Sequence, residues 1–262
     1  MRGTLVVPTL NEASSIGHVL QRFKTAASEA NRTIFAAEPI EWEYLVIDGA
    51  STDGTARLAE SEGARVIVET RRGYGRAYRT GFANALGDVI ATLDGDATYP
   101  AEEIPGLVRR LIDRDLDFIT CDRLAHVDRH AMTTEHRIGN WVLNSFLRIA
   151  YAHYLREAGG VTLADSQSGM WVFRRSVLDH VTLNEDGMAM SEEFKLEVIL
   201  QGLRFDEVPI RYAERWGAPK LSSWRDGRRN LMFLWRKRLA VAKDRRERGG
   251  PMVAARHRPA VR

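Results

Sequence analysis

The chain has 262 residues, 44% hydrophobic and 28% charged, with a single cysteine. It can bury the core of one large α/β domain but can build neither a disulfide framework nor a cysteine-rich zinc site, and Cys121 reads as a lone buried thiol in a reducing compartment. The net charge of +3 conceals an asymmetry: residues 215–262 carry 15 Lys and Arg against 3 Asp and Glu, leaving 23 against 32 in residues 1–214.

Short apolar runs alternate with segments of helical period. Strands are predicted at Leu5–Val7, Tyr44–Ile47, Arg65–Val68, Val89–Leu93 and Phe118–Cys121, and helices at Ser14–Glu29, Thr55–Glu62, Gly75–Leu86 and Glu102–Arg114. That alternation predicts an α/β fold, a mostly parallel central sheet with helices on both faces. A nucleotide-binding half over 1–122 is followed by a less regular half over 123–222, a basic amphipathic helix over 223–248 and a disordered tail over 249–262. No apolar stretch approaches the roughly 20 residues of a membrane span, and Met1 leads into strand-like Thr4–Pro8 without a signal-peptide pattern, so a cytoplasmic protein is expected.

In such a sheet ligands sit outside the carboxyl ends of the strands, and the polar motifs fall there. The first strand ends in Pro8-Thr-Leu-Asn-Glu12, the second in Asp48-Gly-Ala-Ser-Thr-Asp-Gly54 and the fourth in Asp94-Gly-Asp96. Asp-Gly is also a turn signal, and Ser51, Thr52 and Asp53 would cap a helix. Together, however, these motifs put at least three carboxylates on one sheet edge, with Asp94 and Asp96 spaced to offer a divalent metal to a diphosphate. Oxygen ligands select a hard cation, Mg²⁺ or Mn²⁺. His126, His130 and His136 lie in a polar stretch and read as solvated loop residues. The loop Arg71-Arg-Gly-Tyr-Gly-Arg76 opens a helix with guanidiniums beside backbone N–H groups, which suits a diphosphate; its glycines at 73, 75 and 81 do not follow the dinucleotide spacing, which argues against a dehydrogenase.

The order of these motifs, continued by Asp165-Ser-Gln-Ser-Gly169, Ser191-Glu-Glu193 and Arg215-Trp-Gly-Ala-Pro-Lys-Leu-Ser222, resembles the family 2 glycosyltransferases of the GT-A fold, and among them the dolichyl-phosphate and polyprenyl-phosphate sugar transferases. The resemblance implies that Pro8, Asn11 and Glu12 line the nucleoside pocket, that Asp48 contacts the base, that Arg71 or Arg76 meets the diphosphate and that Asp94 and Asp96 hold the metal. Two departures stand out: Ile47-Asp48 replaces the usual paired aspartates, and arginine replaces the lysine often seen in the glycine loop.

For the acceptor, a hydroxyl needs a general base, for which Asp165, Glu192 or Glu193 would serve, although Glu192 and Glu193 also read as dipole-compensating residues in a first helical turn. A lipid phosphate is already ionised and needs cations instead. Arg123, Arg129, Arg137, Arg215 and Lys220, with Ser222, lie in the two segments where similar enzymes receive it, and Gln167 is suited to read a sugar hydroxyl. The expected activity is inverting transfer of a hexose or N-acetylhexosamine from a nucleoside-diphosphate sugar to polyprenyl or dolichyl phosphate, with a soluble or cell-envelope hydroxyl acceptor as the alternative. The basic tail, with Leu231-Met-Phe-Leu-Trp235 beside Arg228, Arg229, Arg236, Lys237 and Arg238, is either a core-packed helix or a seat on the cytoplasmic membrane face. A nucleic-acid binder would use the same tail but leave the carboxylate edge idle, so nucleic acid is not an expected partner.

Overall fold

The structure, a computed structural model, describes residues 1–128, 131–158, 160, 162–217 and 223–248. The first half alternates as predicted: β1 (Arg2–Thr9), α1 (Ile16–Arg32), β2 (Glu41–Asp48), α2 (Thr55–Ser61), β3 (Arg65–Val68), α3 (Tyr74–Asn84), β4 (Val89–Thr92), α4 (Ile104–Asp113) and β5 (Phe118–Val127). There follow α5 (Thr134–Ala150), α6 (Ala152–Glu157), β6 (Trp171–Arg174), α7 (Met190–Leu200), β7 (Phe205–Tyr212) and α8 (Ser223–Arg248).

The seven strands form one sheet in the order β3-β2-β1-β4-β6-β5-β7, in which β6 runs antiparallel to β4 and β5 while the other pairs are parallel. Side-chain alternation along β1 builds both faces. Leu5 and Val7 join Ile16, Leu20 and Phe23 of α1 and Ile104 and Val108 of α4, whereas Val6 joins Tyr78 and Phe82 of α3 and Phe194 and Val198 of α7. Because β6 is reversed, its entrance lies at the same sheet edge as the exits of β1, β2, β4 and β5. β7 is an outermost strand, which accommodates Pro209 and the register irregularity that faces it on β5.

A third core joins the late helices: Leu143 and Leu147 of α5, Leu155 of α6, Leu196 and Leu200 of α7, and Phe233, Leu234 and Val241 of α8. Polar contacts reinforce it. The Tyr151 hydroxyl donates to the Leu234 carbonyl (2.9 Å), Arg238 Nε to the Ala150 carbonyl (2.7 Å), Arg245 pairs with Glu157 (3.0 Å) and Lys237 pairs with Glu197. The basic helix expected over 223–248 is thus present as α8, with one face packed on the domain; the tail expected at 249–262 lies outside the described residues. Leu234→Ala is expected to cost about 2–5 kcal/mol, read by chemical denaturation, and truncation after residue 222 should lower the midpoint further. An unchanged midpoint for the truncated chain would show that α8 adds nothing to the core.

Candidate active site

The exits of β1 and β2 lock to each other. Asn11 leaves β1 in the left-handed region (φ 53°), which asparagine tolerates better than most residues. Its N–H donates to Ser51 Oγ (2.8 Å) and its Oδ1 accepts from the Thr52 N–H (2.9 Å). The Glu12 N–H donates to Thr55 Oγ1 (2.8 Å) and the Ala13 N–H to Asp53 Oδ2 (3.0 Å). Asp48 is buried, accepting from Thr9 Oγ1 (3.2 Å) and from the Ser51 N–H (2.9 Å). Pro8, Asn11, Glu12 and Asp48 therefore belong to one wall. Ser15 joins that wall to the neighbouring strand exit by donating to the Gly95 carbonyl (2.7 Å).

That next exit carries Asp94 and Asp96. Asp96 is buried; its Oδ1 accepts from the Thr98 N–H (3.1 Å) and hydroxyl (2.6 Å). Its Oδ2 lies 2.5 Å from Arg215 Nη2, an ion pair by distance that lacks the alignment of a hydrogen bond. The segment bearing Arg215 is clamped over this exit: the Ala213 N–H donates to the Thr98 carbonyl (3.0 Å), the Trp216 N–H to the Asp96 carbonyl (3.1 Å), and the Trp216 ring stacks on His18 at 4.6 Å. Asp94 Oδ1 accepts from the hydroxyls of Tyr74 (3.1 Å) and Tyr78 (3.3 Å). Burial, and then the neighbouring Asp96 charge, push its carboxyl up to about 7.

Two carboxylates crowded in a dry place favour a cation between them. The buried Asp96 Oδ2 without an aligned donor, in an all-oxygen donor set, fits a hard divalent ion such as Mg²⁺ or Mn²⁺. Among the described residues no cluster of three or more His, Cys, Asp or Glu forms a closed cage. Asp94 and Asp96 would therefore hold an ion that shares its remaining positions with other oxygens.

The opposite wall is the loop Asp165–Gly169. The Gly169 carbonyl accepts from Thr92 Oγ1 (2.7 Å) and Tyr78 Oη (3.3 Å), and its N–H donates to Tyr99 Oη (2.8 Å). A Cβ on Gly169 would collide with the Tyr74 hydroxyl and come within 3.6 Å of Asp94 Oδ1, so only glycine lets the loop lie against that hydroxyl beside the carboxylate. Asp165 is fully buried in a two-pronged pair with Arg123 (Nε to Oδ2 2.7 Å, Nη2 to Oδ1 2.9 Å), and Arg123 also lies over the Tyr212 ring. Burial opposes ionisation of Asp165, but the Arg123 charge and hydrogen bonds outweigh it and hold the carboxyl below its ordinary range. Lys195 Nζ donates to the Asp165 carbonyl (2.7 Å), and burial lowers its amine to about 8.

Helix α7 is buried along its whole length, Glu192 and Glu193 included. Glu193 Oε2 accepts from the N–H groups of Asn184 (2.9 Å) and Glu185 (2.8 Å). The loop so fixed presses its Asp186 and Glu185 carbonyls against the positions where Gly73 and Gly75 have no side chain. Glu192 is buried with neither carboxyl oxygen in an aligned hydrogen bond; burial foremost pushes it up to about 8, against the opposing pull of the Lys195 charge and the nearby Gln167 amide. Beside it, Gln167 Oε1 accepts from Asn230 Nδ2 on α8 at 2.8 Å.

The predicted residues thus fall into three groups. Pro8, Asn11, Glu12 and Asp48 share one wall, Asp94, Asp96 and Arg215 the centre, and Arg123, Asp165, Gln167, Glu192 and Glu193 the other wall or its support. Arg71 is engaged by Glu69 (2.7 Å) and Arg76 by Asp186 (2.7 Å), at the glycine loop. Arg137 is exposed on α5, while Arg129, Lys220 and Ser222 lie outside the described residues. Sequence reasoning missed Tyr74, Tyr78, Tyr99, Lys195 and Asn230. The i, i+4 spacing of Tyr74 and Tyr78 at the start of α3 is a signal that could have found two of them.

Comparison with known proteins agrees with this geometry. Residues 4–182 match the glycosyl transferase family 2 profile, and the chain belongs to that family. It is 33% identical over 233 residues to a low-salt glycan biosynthesis hexosyltransferase of Haloferax volcanii, an alignment covering 88% of this chain and 52% of that protein. It therefore spans about half the length of this relative. A dolichyl-phosphate hexose transferase of the same organism is 31% identical over 223 residues, covering 85% of this chain and 88% of that protein. Dodecaprenyl-phosphate galacturonate synthase of Rhizobium johnstonii is 30% identical over 187 residues, covering 69% of this chain and 50% of that protein. A crystal structure of glucosyl-3-phosphoglycerate synthase from Mycobacterium tuberculosis, solved with Mn²⁺, UDP and glucosyl-3-phosphoglycerate, shares the fold with a TM-score of 0.69 at 20% identity, covering 90% of this chain and 79% of that one. The expected GT-A α/β architecture is the one observed.

The buried Glu192 carboxyl gives a pH-dependent expectation. An acid raised from 4.5 to about 8 on folding holds its proton more tightly in the folded chain than in the unfolded one. Its contribution to stability is therefore fully present below pH 4.5 and is lost as pH rises toward about 8. Glu192→Gln, which keeps the shape and never ionises, should gain thermal stability over the parent progressively from pH 5 to 8 and then level off. A gain independent of pH in melting curves across that range would contradict this account.

Proposed function

We propose that the chain transfers one hexose or N-acetylhexosamine, with inversion, from a nucleoside-diphosphate sugar to a polyprenyl or dolichyl phosphate. The observation that carries the choice of a phosphate acceptor is the state of the three carboxylates suited to deprotonate a hydroxyl. Asp165 is neutralised by Arg123, Glu193 is tied to two backbone N–H groups, and Glu192 is buried and raised toward its neutral form. A phosphate nucleophile is ionised without such help. The names of the dolichyl-phosphate hexose transferase and the dodecaprenyl-phosphate galacturonate synthase among the relatives support the same reading.

In this reading Pro8, Asn11, Glu12 and Asp48 receive the nucleoside, and Asp94 and Asp96 hold Mg²⁺ or Mn²⁺. The ion when bound supplies positive charge to the departing diphosphate. An oxygen of the lipid phosphate forms a bond to the anomeric carbon as the bond from that carbon to the diphosphate breaks, and the nucleoside diphosphate leaves with the electron pair. Arg215, already over Asp96, contributes charge at the reacting end, with Arg137 and, by sequence position, Arg129, Lys220 and Ser222 on the acceptor side. Arg71 and Arg76 reach a diphosphate by exchanging their present carboxylate partners.

A peripheral seat on the cytoplasmic face of a membrane belongs to the same proposal. Helix α5 exposes Ile138, Trp141, Val142 and Ile149 at helical spacing, and α8 exposes Met232, Trp235 and Leu239, with Trp141 at 69%, Ile149 at 79% and Trp235 at 58%. The rings of Phe146 and Trp235, 6.4 Å apart, join the two stripes, and Arg137, Arg148, Arg228, Arg229 and Arg236 are exposed on the same helices. Apolar stripes bordered by arginines suit an anionic bilayer surface. Among the described residues no helix is long and apolar enough to cross a membrane.

Incubation with Mg²⁺ or Mn²⁺ and a panel of nucleotide sugars, with and without polyprenyl phosphate, followed by mass analysis of the product, tests the reaction. Asp96→Asn and Arg215→Ala should each lower kcat/KM by about a hundredfold, the loss of roughly 3 kcal/mol expected for a charge-assisted contact at the reacting end, while Glu192→Gln stays within about tenfold of the parent. The reverse order would point to a hydroxyl acceptor. In flotation with anionic vesicles, Trp141→Glu combined with Trp235→Glu should abolish association; unchanged flotation would remove the membrane seat from the proposal.

A further inference from the structure

A buried asparagine is unfavourable in an apolar interface unless its hydrogen bonds do something packing cannot. Helix α8 turns Phe233, Leu234 and Val241 inward, and among them Asn230, which is 3% exposed. Its Nδ2 donates to Gln167 Oε1 at 2.8 Å, bridging 63 positions of the chain. Around this bond Asn230 Oδ1, Ser191 Oγ and both Glu192 oxygens are buried without an aligned hydrogen-bond partner, while Gln167 Nε2 donates to Ser166 Oγ at 3.5 Å. The Asn230 to Gln167 bond is the shorter of the two that orient the Gln167 amide.

Gln167 stands in the middle of the loop that closes on Asp94. Its own N–H donates to Asp165 Oδ1 (3.0 Å), so the backbone on one side is fixed by the Asp165 and Arg123 pair. Two residues on, Gly169 lies against the Tyr99 hydroxyl and against those of Tyr74 and Tyr78, which also contact Asp94. The helical layer behind holds this loop through Asn144 of α5, which accepts from the Ser166 N–H (2.9 Å) and donates to the Ala164 carbonyl (2.7 Å), and through Lys195 of α7; the Gln167 side chain is its tie to α8.

We infer that Asn230 is a positioning residue: through Gln167 it sets the Asp165–Gly169 loop against the carboxylate centre, making α8 part of the transfer site's construction. This rests on the function proposed above, with Gln167 as the reader of a sugar hydroxyl. It adds that the donor sugar, more than the nucleotide, is held by a contact originating on α8.

The test uses the full chain and three variants, Asn230→Leu, Gln167→Ala and the double variant. Affinities for nucleoside diphosphate and for the corresponding nucleotide sugar are measured by calorimetry, alongside kcat and the melting midpoint. Leucine fills the space of Asn230 and adds apolar contact while leaving Gln167 Oε1 unpaired, so Asn230→Leu should lower the midpoint only modestly and leave the chain folded. It should nevertheless weaken nucleotide-sugar binding and lower kcat by about tenfold or more, as small misplacements at a reacting centre do, with nucleoside-diphosphate affinity within about twofold of the parent. The double variant should be no worse than the weaker single one, because both changes remove the same bond; independent sites would instead add. Asn230→Leu with undiminished preference for nucleotide sugar over nucleotide, or additive losses in the double variant, would overturn the inference. The binding measurements need no acceptor, so absence of turnover with every polyprenyl phosphate would count against the acceptor reading alone.

Discussion

Placing Asp94 and Asp96 together at the buried exit of β4 is the constraint that the rest of this structure serves. Like charges in a poorly solvated place repel, and burial penalises each of them separately. The fold answers with different means for each. Asp96 is given the Thr98 N–H and hydroxyl and the Arg215 guanidinium. Asp94 is left with two tyrosine hydroxyls and is displaced toward its neutral form. The remaining imbalance is what a divalent cation would relieve, in the function proposed above, since a structure that satisfied both carboxylates internally would have no use for one.

The reversed strand β6 follows from the same demand. A continuous parallel sheet would bring another strand exit to this edge, whereas an antiparallel strand brings an entrance, and the chain arriving there is the Asp165–Gly169 loop. Its tight backbone, with glycine where a Cβ would strike Tyr74, fits between two aromatic hydroxyls and a carboxylate. Holding so short a loop in place requires a strong anchor at its start. The two-pronged pair of Arg123 with fully buried Asp165 provides one, and it works because both partners are desolvated together and the geometry is bidentate. That commitment also explains why Arg123 and Asp165, individually attractive as an acceptor ligand and a general base, are found facing each other.

Much of this was legible in the sequence, in proportion to how local the physics is. The strands and helices of the first half follow from hydrophobic period, with bounds within three residues except at the end of β5, which runs on from Cys121 to Val127 through polar residues. β7 was missed because Asp206, Pro209 and Arg211 interrupt its apolar content, as an outermost strand permits. β6 was missed because Trp171–Arg174 is a four-residue run with no flanking alternation. The polar motifs at strand exits were visible as motifs, yet their division of labour was not. Nothing in Ser191-Glu-Glu193 distinguishes an exposed first turn, with acids facing the helix dipole, from the fully buried helix that α7 is. That distinction depends on α8 and the 181–187 segment covering it, and those contacts lie up to tens of residues away. Likewise Gly73 and Gly75 suggest a phosphate cradle in sequence, while in space their missing side chains admit the carbonyls of Asp186 and Glu185.

Helix α8 shows how one segment can satisfy two readings that the sequence presented as alternatives. A core-packed helix and a surface-seated helix compete only if the helix has a single apolar face. Here Asn230, Phe233, Leu234 and Val241 point inward, whereas Met232, Trp235 and Leu239 point out, with arginines distributed between them. Such a helix has weak amphipathicity by periodicity, since apolar residues on opposite sides cancel, which is why composition advertised the segment more clearly than its pattern did. Its inward face adds to the hydrophobic core and touches the loop beside the carboxylates. Its outward face, continuous with that of α5, remains available to a partner. The two faces of α8 are separated by the thickness of one helix, roughly 10 Å, so a partner of the outer face and the Asp165–Gly169 loop touched by the inner face lie on opposite sides of a single element, and whatever orders the helix from outside also orders the loop's contact from within.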